Sequence, residues 1–245
     1  RDEQSTPGGL RSQHREITME LTLLNRDIHD LKLTVQNGDI LKLNLANLEY
    51  FADFCIEIHV LAGARFEGAF ADFSKGSGTG KIDIYLDEEG AEAEFHSAVL
   101  SRLDSQKVVD ANIIHAAPHT RGLSENYGIT EGTSRLTFKG ASHIQNGAYA
   151  SAARQSAKII VFDEGCVAKA LPILKIDEND VQASHAAIVG KLNEDHMFYL
   201  TSRGLSRDEA KRLIILGYLK PIETYFQDEV KTLIDEAIEG GVGHA

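Results

Sequence analysis

The fold is decided between Leu171 and Tyr218, where the sequence reads LPILKIDENDVQASHAAIVGKLNEDHMFYLTSRGLSRDEAKRLIILGY. The first part of this segment alternates apolar with polar residues, which is typical of a half-buried β-strand. From Asn193 onward the apolar residues recur at the 3.6-residue period of an α-helix. The chain therefore changes from strands to helices here, and His185 lies just before the change.

The same alternation recurs in short runs upstream of this segment. It extends from Thr18 to Ile176, in series such as Ile56-Ile58-Val60 and Ile82-Ile84-Leu86. Because successive side chains of a strand point to opposite faces, this pattern predicts strands that each bury one face. We therefore expect a mainly β body over residues 16–190.

Two β architectures fit this pattern. Asn37-Gly38 is a hairpin-type turn signal, and a β-sandwich requires hairpins at short spacing. Small residues crowd the stretch from Gly140 to Ala153, as the sharp bends of a narrow, stacked solenoid require. No strict repeat period is visible, so the residue pattern alone leaves sandwich and solenoid open.

Residues 191–245 are predicted to form a segment of three helices. In the first, Met197, Phe198 and Leu200 share a face, and Gly204 is placed to end it. The second helix begins with a capping box of Ser206 and Glu209, and Pro221 suits the first turn of the third. The predicted apolar stripes are Ala210, Leu213, Ile214 and Gly217 in the second helix, and Ile222, Tyr225, Phe226, Val230, Leu233, Ile234 and Ala237 in the third, which Gly240-Gly241 would end.

Charge and composition argue against several classes of protein. The 245 residues carry a net charge of −12, whereas nucleic-acid and anionic-membrane surfaces need clustered Lys and Arg. No window approaches the roughly 18 apolar residues of a transmembrane helix, and the charged N-terminus does not resemble a secretory signal. Cys55 and Cys166 form no disulfide framework, which favours a reducing cytoplasm. Residues 1–15 are expected to be disordered or a linker, and the missing initial Met indicates a fragment or an incomplete N-terminus.

Two motifs that often bind ligands are better explained as connections between strands. The glycine-rich stretch Lys75–Lys81 lacks the spacing of a phosphate-binding loop and precedes a strand instead of a helix, so we expect an inter-strand loop. His115 and His119 flank Pro118, which disfavours a helix, and strand residues four apart are separated by about 13 Å. We therefore expect a turn there, not a metal-binding pair.

Neither cysteine, nor the Ser184-His185 pair, indicates a nucleophile. Cys166 follows acidic residues, which raise a thiol pKa, and Cys55 is expected in the core. Ser184, His185 and Asp180 are too close in sequence to supply the spatially separate groups of a catalytic triad.

Spaced residues over about 100 positions carry a resemblance to a known family. They include Phe138-x-Gly140, Pro172-x-Leu174-x-Ile176, Asp180-Val181-x-x-Ser184-His185-x-Ala187-x-x-Gly190, and Phe198-Tyr199-Leu200-x-Ser202-Arg203-Gly204-Leu205-Ser206-x-x-Glu209-Ala210. This set resembles the SufB/SufD family, the scaffold components of the Suf iron–sulfur cluster assembly system. The resemblance is clearest from Asn112 to Leu219.

The resemblance implies a right-handed parallel β-helix followed by a small C-terminal helical segment, and so favours the solenoid. It also implies that residues 191–245 dock an ABC-type ATPase, SufC. The residues expected to bind this partner are Phe198, Tyr199, Arg203, Gly204, Leu205, Ala210 and Ile214.

Within the family, the chain resembles SufD more than SufB. SufB-type chains carry Glu-His-Glu where this chain has Ser184-His185-Ala186, and a catalytic cysteine where it has Ala157. In SufD-type chains the histidine matching His185 lies at the interface with SufB and takes part in building the nascent cluster. The resemblance therefore implies His185 as the catalytic residue and as an iron ligand, a role that suits imidazole.

The expected function is that of a SufD-like scaffold subunit, not itself an enzyme, with ATP hydrolysis in the SufC partner. Its second partner would be a SufB-like scaffold or another copy of itself, and neither nucleic acid nor membrane is expected. No cofactor would be tightly bound, although iron or a transient cluster would form at the subunit interface. The alternatives are a single self-pairing SufBD scaffold and a β-helix enzyme that cleaves an acidic polysaccharide with paired carboxylates.

Overall fold

The computed structural model of the protein describes residues 16–51 and 53–239. Within these residues thirteen strands form two sheets, and three α-helices follow. The strands are β1 (Thr18–Leu24), β2 (Leu31–Val35), β3 (Ile40–Asn47), β4 (Phe54–Val60), β5 (Arg65–Asp72), β6 (Gly78–Leu86), β7 (Glu92–Ser101), β8 (Gln106–His115), β9 (Arg121–Thr130), β10 (Arg135–Ile144), β11 (Ser151–Val161), β12 (Val167–Ile176) and β13 (Val181–Lys191). The odd-numbered strands form the first sheet, and the even-numbered strands form the second.

The chain winds as a parallel β-solenoid of about six turns. Consecutive strands alternate between the two sheets, and each strand pairs in parallel with the strand one coil away. This confirms the solenoid and excludes the sandwich. The hairpin prediction at Asn37-Gly38 is wrong, because this turn joins β2 to β3 in the other sheet. Gly38 has φ +75° and donates its N–H to the Ala62 carbonyl of the next coil.

The coils differ in length. The paired residues Thr18 and Ile40 are 22 positions apart (40 − 18), whereas the paired residues Arg135 and Val167 are 32 apart (167 − 135). Most of this difference lies in the strands, which lengthen from 7 and 5 residues in β1 and β2 to 10 and 11 residues in β10 and β11. This variation explains why the sequence shows no strict repeat.

The interior changes character along the solenoid. In the first coils it is filled by phenylalanine and aliphatic side chains, among them Phe66, Phe70 and Phe95. In the last coils small and polar residues replace them, including Ser124 and Gln155. Cys55 does not belong to this interior, contrary to prediction. It is exposed because it alternates with the inward-facing Phe54, Ile56 and Ile58.

An ion pair is buried inside the solenoid. Lys107 and Asp72 are both fully buried, and the Nζ–Oδ2 distance is 3.0 Å. Lys107 Nζ also donates to the carbonyls of Ser74 (2.8 Å) and Leu100 (2.9 Å), and Ser74 donates to Asp72 Oδ1. Burial lowers the pKa of the Lys107 ammonium and raises the pKa of the Asp72 carboxyl. The hydrogen bonds to Lys107 Nζ and Asp72 Oδ1 compensate in part for the removal of both charges from water.

Three helices follow the solenoid, and the first two begin and end much as the sequence predicts. They are α1 (Glu194–Ser202), α2 (Arg207–Leu219) and α3 (Asp228–Glu239), with a 3₁₀ helix (Lys220–Tyr225) before α3. Gly204 follows α1 with φ +96°, as a C-terminal glycine should. Ser206 and Glu209 form the predicted capping box at α2.

Two helical predictions need correction. The third helix is not continuous from Ile222, because Phe226 is extended and separates the 3₁₀ helix from α3. The predicted end at Gly240-Gly241 lies outside the described residues. In α2 the buried residues are Ala210, Ile215 and Leu219, so the helix presents a neighbouring face to the sheet and leaves Leu213 exposed.

The helices pack on the outer face of the first sheet. Ile215, Leu219, Phe226 and Ile234 contact a patch formed by strand ends, which includes Phe73 and Leu100. The buried Arg102 guanidinium donates to the Phe73 carbonyl and to the Ala237 carbonyl of α3, which ties this helix to the solenoid. None of the described helices is long and apolar enough to cross a bilayer.

Candidate functional site at the open end of the solenoid

The candidate site lies at the end of the solenoid formed by β12 and β13. Each of these strands is the last of its sheet among the residues that the structure describes. Each pairs on one side only, β12 with β10 and β13 with β11. Their free backbone N–H and C=O groups are able to pair with another chain.

The last coil also exposes apolar side chains. Ile173 on β12 and Ile188 on β13 are 57% and 55% exposed, and Leu171, Ile176 and Val189 are exposed as well. Apolar groups on a free strand edge favour aggregation unless another surface covers them. The open end therefore has the features of a subunit interface.

His185 is on the inner side of this last coil. It pairs in register with Gln155 on β11, which in turn pairs with Ser124 on β9. Gln155 is buried, so the residues in this row face the interior. His185 is exposed because β13 is the edge strand of its sheet in the described part of the chain. Its imidazole therefore belongs to a polar row that begins inside the solenoid and ends at the open face.

The residues that the structure describes form no metal site around His185. Among the described residues no group of three or more His, Cys, Asp and Glu side chains could hold a metal ion. Ala157 pairs with Ala187, two residues along from Gln155 and His185, so a cysteine at position 157 would share the inner face with His185. This chain has a methyl group there.

The predicted partner-binding residues of the helical segment are mostly at the surface. Phe198 is 74% exposed and Tyr199 is 58% exposed, although Met197 beside them is buried. The Arg203 guanidinium lies over the Tyr199 ring, 5.1 Å from its centroid. Gly204 is exposed, whereas Leu205 and Ile214 are half-buried. Ala210 is completely buried, so its side chain supports the helix and is not available to a partner.

The other motifs have structural roles. Lys75–Lys81 is a loop only up to Ser77, and Gly78 begins β6, where a Cβ would lie 2.2 Å from the Phe51 ring. His115 ends β8 fully buried, with Nδ1 2.8 Å from Thr120 Oγ1. Burial lowers the pKa of His115 to about 4. His119 is in the turn that follows, as predicted.

Two features of the interior were missed by sequence reasoning. One is the Lys107–Asp72 pair, whose members are 35 residues apart (107 − 72). The other is Gln155, whose Oε1 has no hydrogen-bond partner although the residue is only 4% exposed. The polar row that joins Gln155 to His185 depends on cross-strand register, for which the sequence gives no local signal.

Comparison with known proteins identifies the family of this chain. Residues 51–218 match the family described as SUF system FeS cluster assembly, SufBD core domain. The chain is 30% identical over 159 residues to the iron–sulfur cluster assembly protein SufD of Bacillus subtilis, covering 65% of this chain and 36% of that protein. It is 26% identical over 162 residues to SufB of the same organism, covering 64% and 35%. A SufBD family protein of Mycobacterium bovis is 29% identical over 164 residues, covering 65% and 19%.

The chain therefore spans about a third or less of the length of these relatives. The matched region includes most of the solenoid, His185 and the first two helices. Identity is higher with the SufD than with the SufB of the same organism. The chain belongs to the SufBD family of iron–sulfur cluster assembly proteins.

Proposed function

We propose that this chain is the SufD-like scaffold subunit of a Suf complex, which pairs with a SufB-like scaffold through its open end. The observation that supports this most is the position of His185 on the inner face of a strand whose outer edge is unpaired. A second scaffold at this edge would bring its own side chains close to His185. The site would then be shared between two subunits.

In this shared site, His185 supplies one imidazole ligand to iron or to the nascent cluster. Imidazole nitrogen binds iron well, and thiolate and carboxylate ligands would come from the partner. Iron and the cluster are the cargo of the complex and are held transiently at the interface. The chain acts as a scaffold and catalyses no reaction by itself. Both of its cysteines are free, in keeping with the reducing cytoplasm in which we place it.

The exposed aromatic side chains of α1 form the proposed docking site for a SufC-like ATPase. Phe198, Tyr199 and Arg203 form an exposed aromatic and cationic group next to the α1–α2 turn. Aromatic and arginine side chains are the groups that most often dominate the binding energy of protein interfaces. The buried side of the same helical segment packs on the solenoid, so a movement of the ATPase would be transmitted to the β body.

Pairing through the open end is tested by charge insertion on the edge strands. Ile173→Lys and Ile188→Lys place an ammonium on an apolar surface that we expect to be buried in the complex, and each should weaken association at least tenfold. Met19→Lys on β1, at the opposite end of the solenoid, is the matched control. Native mass spectrometry of the chain alone and with a SufB-like partner measures the association. Unchanged pairing in both edge variants would exclude this end as the interface.

ATPase docking is tested by point variants and not by deletion of the helices. Deletion would expose the apolar patch around Phe73 and disturb the solenoid itself. Phe198→Ala with Tyr199→Ala removes only exposed rings, and co-purification with a SufC-like ATPase should be lost. Leu233→Ala, an exposed position on α3, is the control. If the double variant retains the ATPase as well as the control does, the docking site lies elsewhere.

A further inference from the structure

The outer face of the first sheet carries a cavity that neither the cluster site nor the helix contacts use. It has a volume of about 670 Å³ and is lined by residues of β5, β7, β9, β11 and β13. The side chains that line it include Arg65, Arg121 and Arg154 against Glu92 and Glu94. The lining is therefore net positive (three arginines against two glutamates), whereas the whole chain has a net charge of −12.

The acidic partners are concentrated at one end of this cavity. Arg65 is held by Glu67 (2.9 Å) and Glu94 (3.2 Å). Among the described residues, Arg121 forms a single ion pair, with Glu92 at 3.9 Å, and its side chain is 76% exposed. Arg154 forms no ion pair with any residue in the described part of the chain and is exposed. The positive charge toward β13 is thus largely uncompensated.

Strand register places four hydrogen-bond donors around one small residue. Arg121, Ala152 and Gln182 lie in one row across β9, β11 and β13, and Arg154 and Ser184 lie in the next outward-facing row. Strands are about 4.8 Å apart, and rows on one face are about 6.6 Å apart. The methyl group of Ala152 leaves open the space between these donors. In the described structure no side-chain acceptor fills it.

We propose that this cavity binds an oxyanion, a phosphate or carboxylate group seated over Ala152. The guanidinium groups of Arg121 and Arg154 match the paired oxygens of such a group, and the Gln182 amide and Ser184 hydroxyl add neutral donors. His185 is on the opposite, inner face of β13. The site is therefore separate from the proposed cluster site and does not depend on the proposed function.

The oxyanion could belong to a free phosphate or to the glutamate side chains of a polypeptide, and the test uses one probe for each source. Inorganic phosphate and a hexaglutamate peptide are titrated into the full chain by isothermal calorimetry at low ionic strength, where screening is weak. We expect saturable binding of at least one probe. Binding of phosphate indicates a free anion, and binding of the peptide alone indicates an acidic polypeptide.

Three variants test where the probe binds. The double variant Arg121→Gln, Arg154→Gln should bind at least tenfold more weakly, because each charge-assisted hydrogen bond is worth about a factor of ten. Ala152→Phe keeps both charges but fills the space between them, and should abolish binding. Arg135 on β10 of the other sheet is exposed and has no ion pair among the described residues, so Arg135→Gln should bind the probe as the unmodified chain does. The proposal would be overturned if neither probe showed saturable binding, or if the double variant and Ala152→Phe both bound a probe as tightly as the unmodified chain does.

Discussion

Replacement of Lys107 by methionine tests how the interior of the solenoid is stabilised. Lys107 is fully buried, forms an ion pair with Asp72 and donates to two backbone carbonyls. Lys107→Met has similar volume but leaves the Asp72 carboxylate buried without its counter-charge. Loss of one member of a buried ion pair costs about 3–5 kcal/mol in the free energy of unfolding. In a chain of this size, 1 kcal/mol shifts the Tm by roughly 2–4 °C, so we expect a fall of about 6–20 °C.

Urea and thermal unfolding followed by circular dichroism measure this loss. Lys175→Met is the matched control, since Lys175 is an exposed lysine paired with Asp177 on the surface. Surface pairs of this kind contribute about 0–1 kcal/mol. The double variant Lys107→Met, Asp72→Asn should lose clearly less free energy of unfolding than the sum of the losses in Lys107→Met and Asp72→Asn, because no buried charge remains unpaired. A loss below about 1 kcal/mol in Lys107→Met, or strict additivity in the double variant, would refute this reasoning.

The pH dependence of Lys107→Met follows from the same burial. Burial raises the pKa of the Asp72 carboxyl even with Lys107 beside it, and without the ammonium this pKa should rise further. A carboxyl with a raised folded-state pKa favours the folded state at low pH, and this contribution is lost as pH rises through that pKa. The loss in free energy of unfolding caused by Lys107→Met should therefore be smaller at pH 5 than at pH 8. If this loss did not change with pH, Asp72 would not be the source of the instability.

Three further predictions concern stability. Gly140→Ala should lower the free energy of unfolding by about 1–3 kcal/mol, because a Cβ there would lie 2.5 Å from the Ala111 carbonyl oxygen. The control is Gly190→Ala, which has no atom within 4 Å of its Cβ and should leave the free energy of unfolding in urea nearly unchanged. Ser206→Ala removes the cap of α2 and should lower the free energy of unfolding by about 1 kcal/mol, whereas an unchanged midpoint would mean that α2 does not depend on its cap. Because the pKa of buried His115 is lowered to about 4, stability should fall by up to about 3 kcal/mol as pH drops from 7 to 4. His115→Asn should lose this component of the pH dependence, and an identical slope in both proteins would contradict the assignment.

The strands were predictable because alternation is a local property of the sequence. The inward positions Ile56, Ile58 and Val60 were read correctly for this reason. The same rule places the Cys55 side chain on the outer face of the strand. The prediction that Cys55 lies in the core is wrong, because it rests on the apolar neighbours of Cys55 and not on its position in the alternation. The solenoid itself could not be separated from a sandwich by pattern, since its coils vary from 22 to 32 residues (40 − 18 and 167 − 135). Only the family resemblance indicated it.

The candidate site was predictable in part. His185 and the exposed rings of Phe198 and Tyr199 were identified through the resemblance, and the structure places them at the open end and on α1. We propose that His185 binds the cluster and that Phe198 and Tyr199 bind the ATPase. The donors around Ala152 and the polar row behind His185 are formed by residues about 30 positions apart, which come together only through parallel register. The sequence alone contains no signal for such a juxtaposition.

The central claim is that His185 supplies a ligand to the cluster at an interface between two scaffolds. It is tested most directly by the iron content and visible absorption of the complex purified after co-expression with SufB-like and SufC-like partners. We predict that His185→Ala purifies with both partners but carries at least tenfold less cluster. His143→Ala, which removes an outward-facing imidazole bound to Asp177 at 2.8 Å, should carry as much cluster as the unmodified complex. An intact His185→Ala complex with undiminished cluster content would contradict the account.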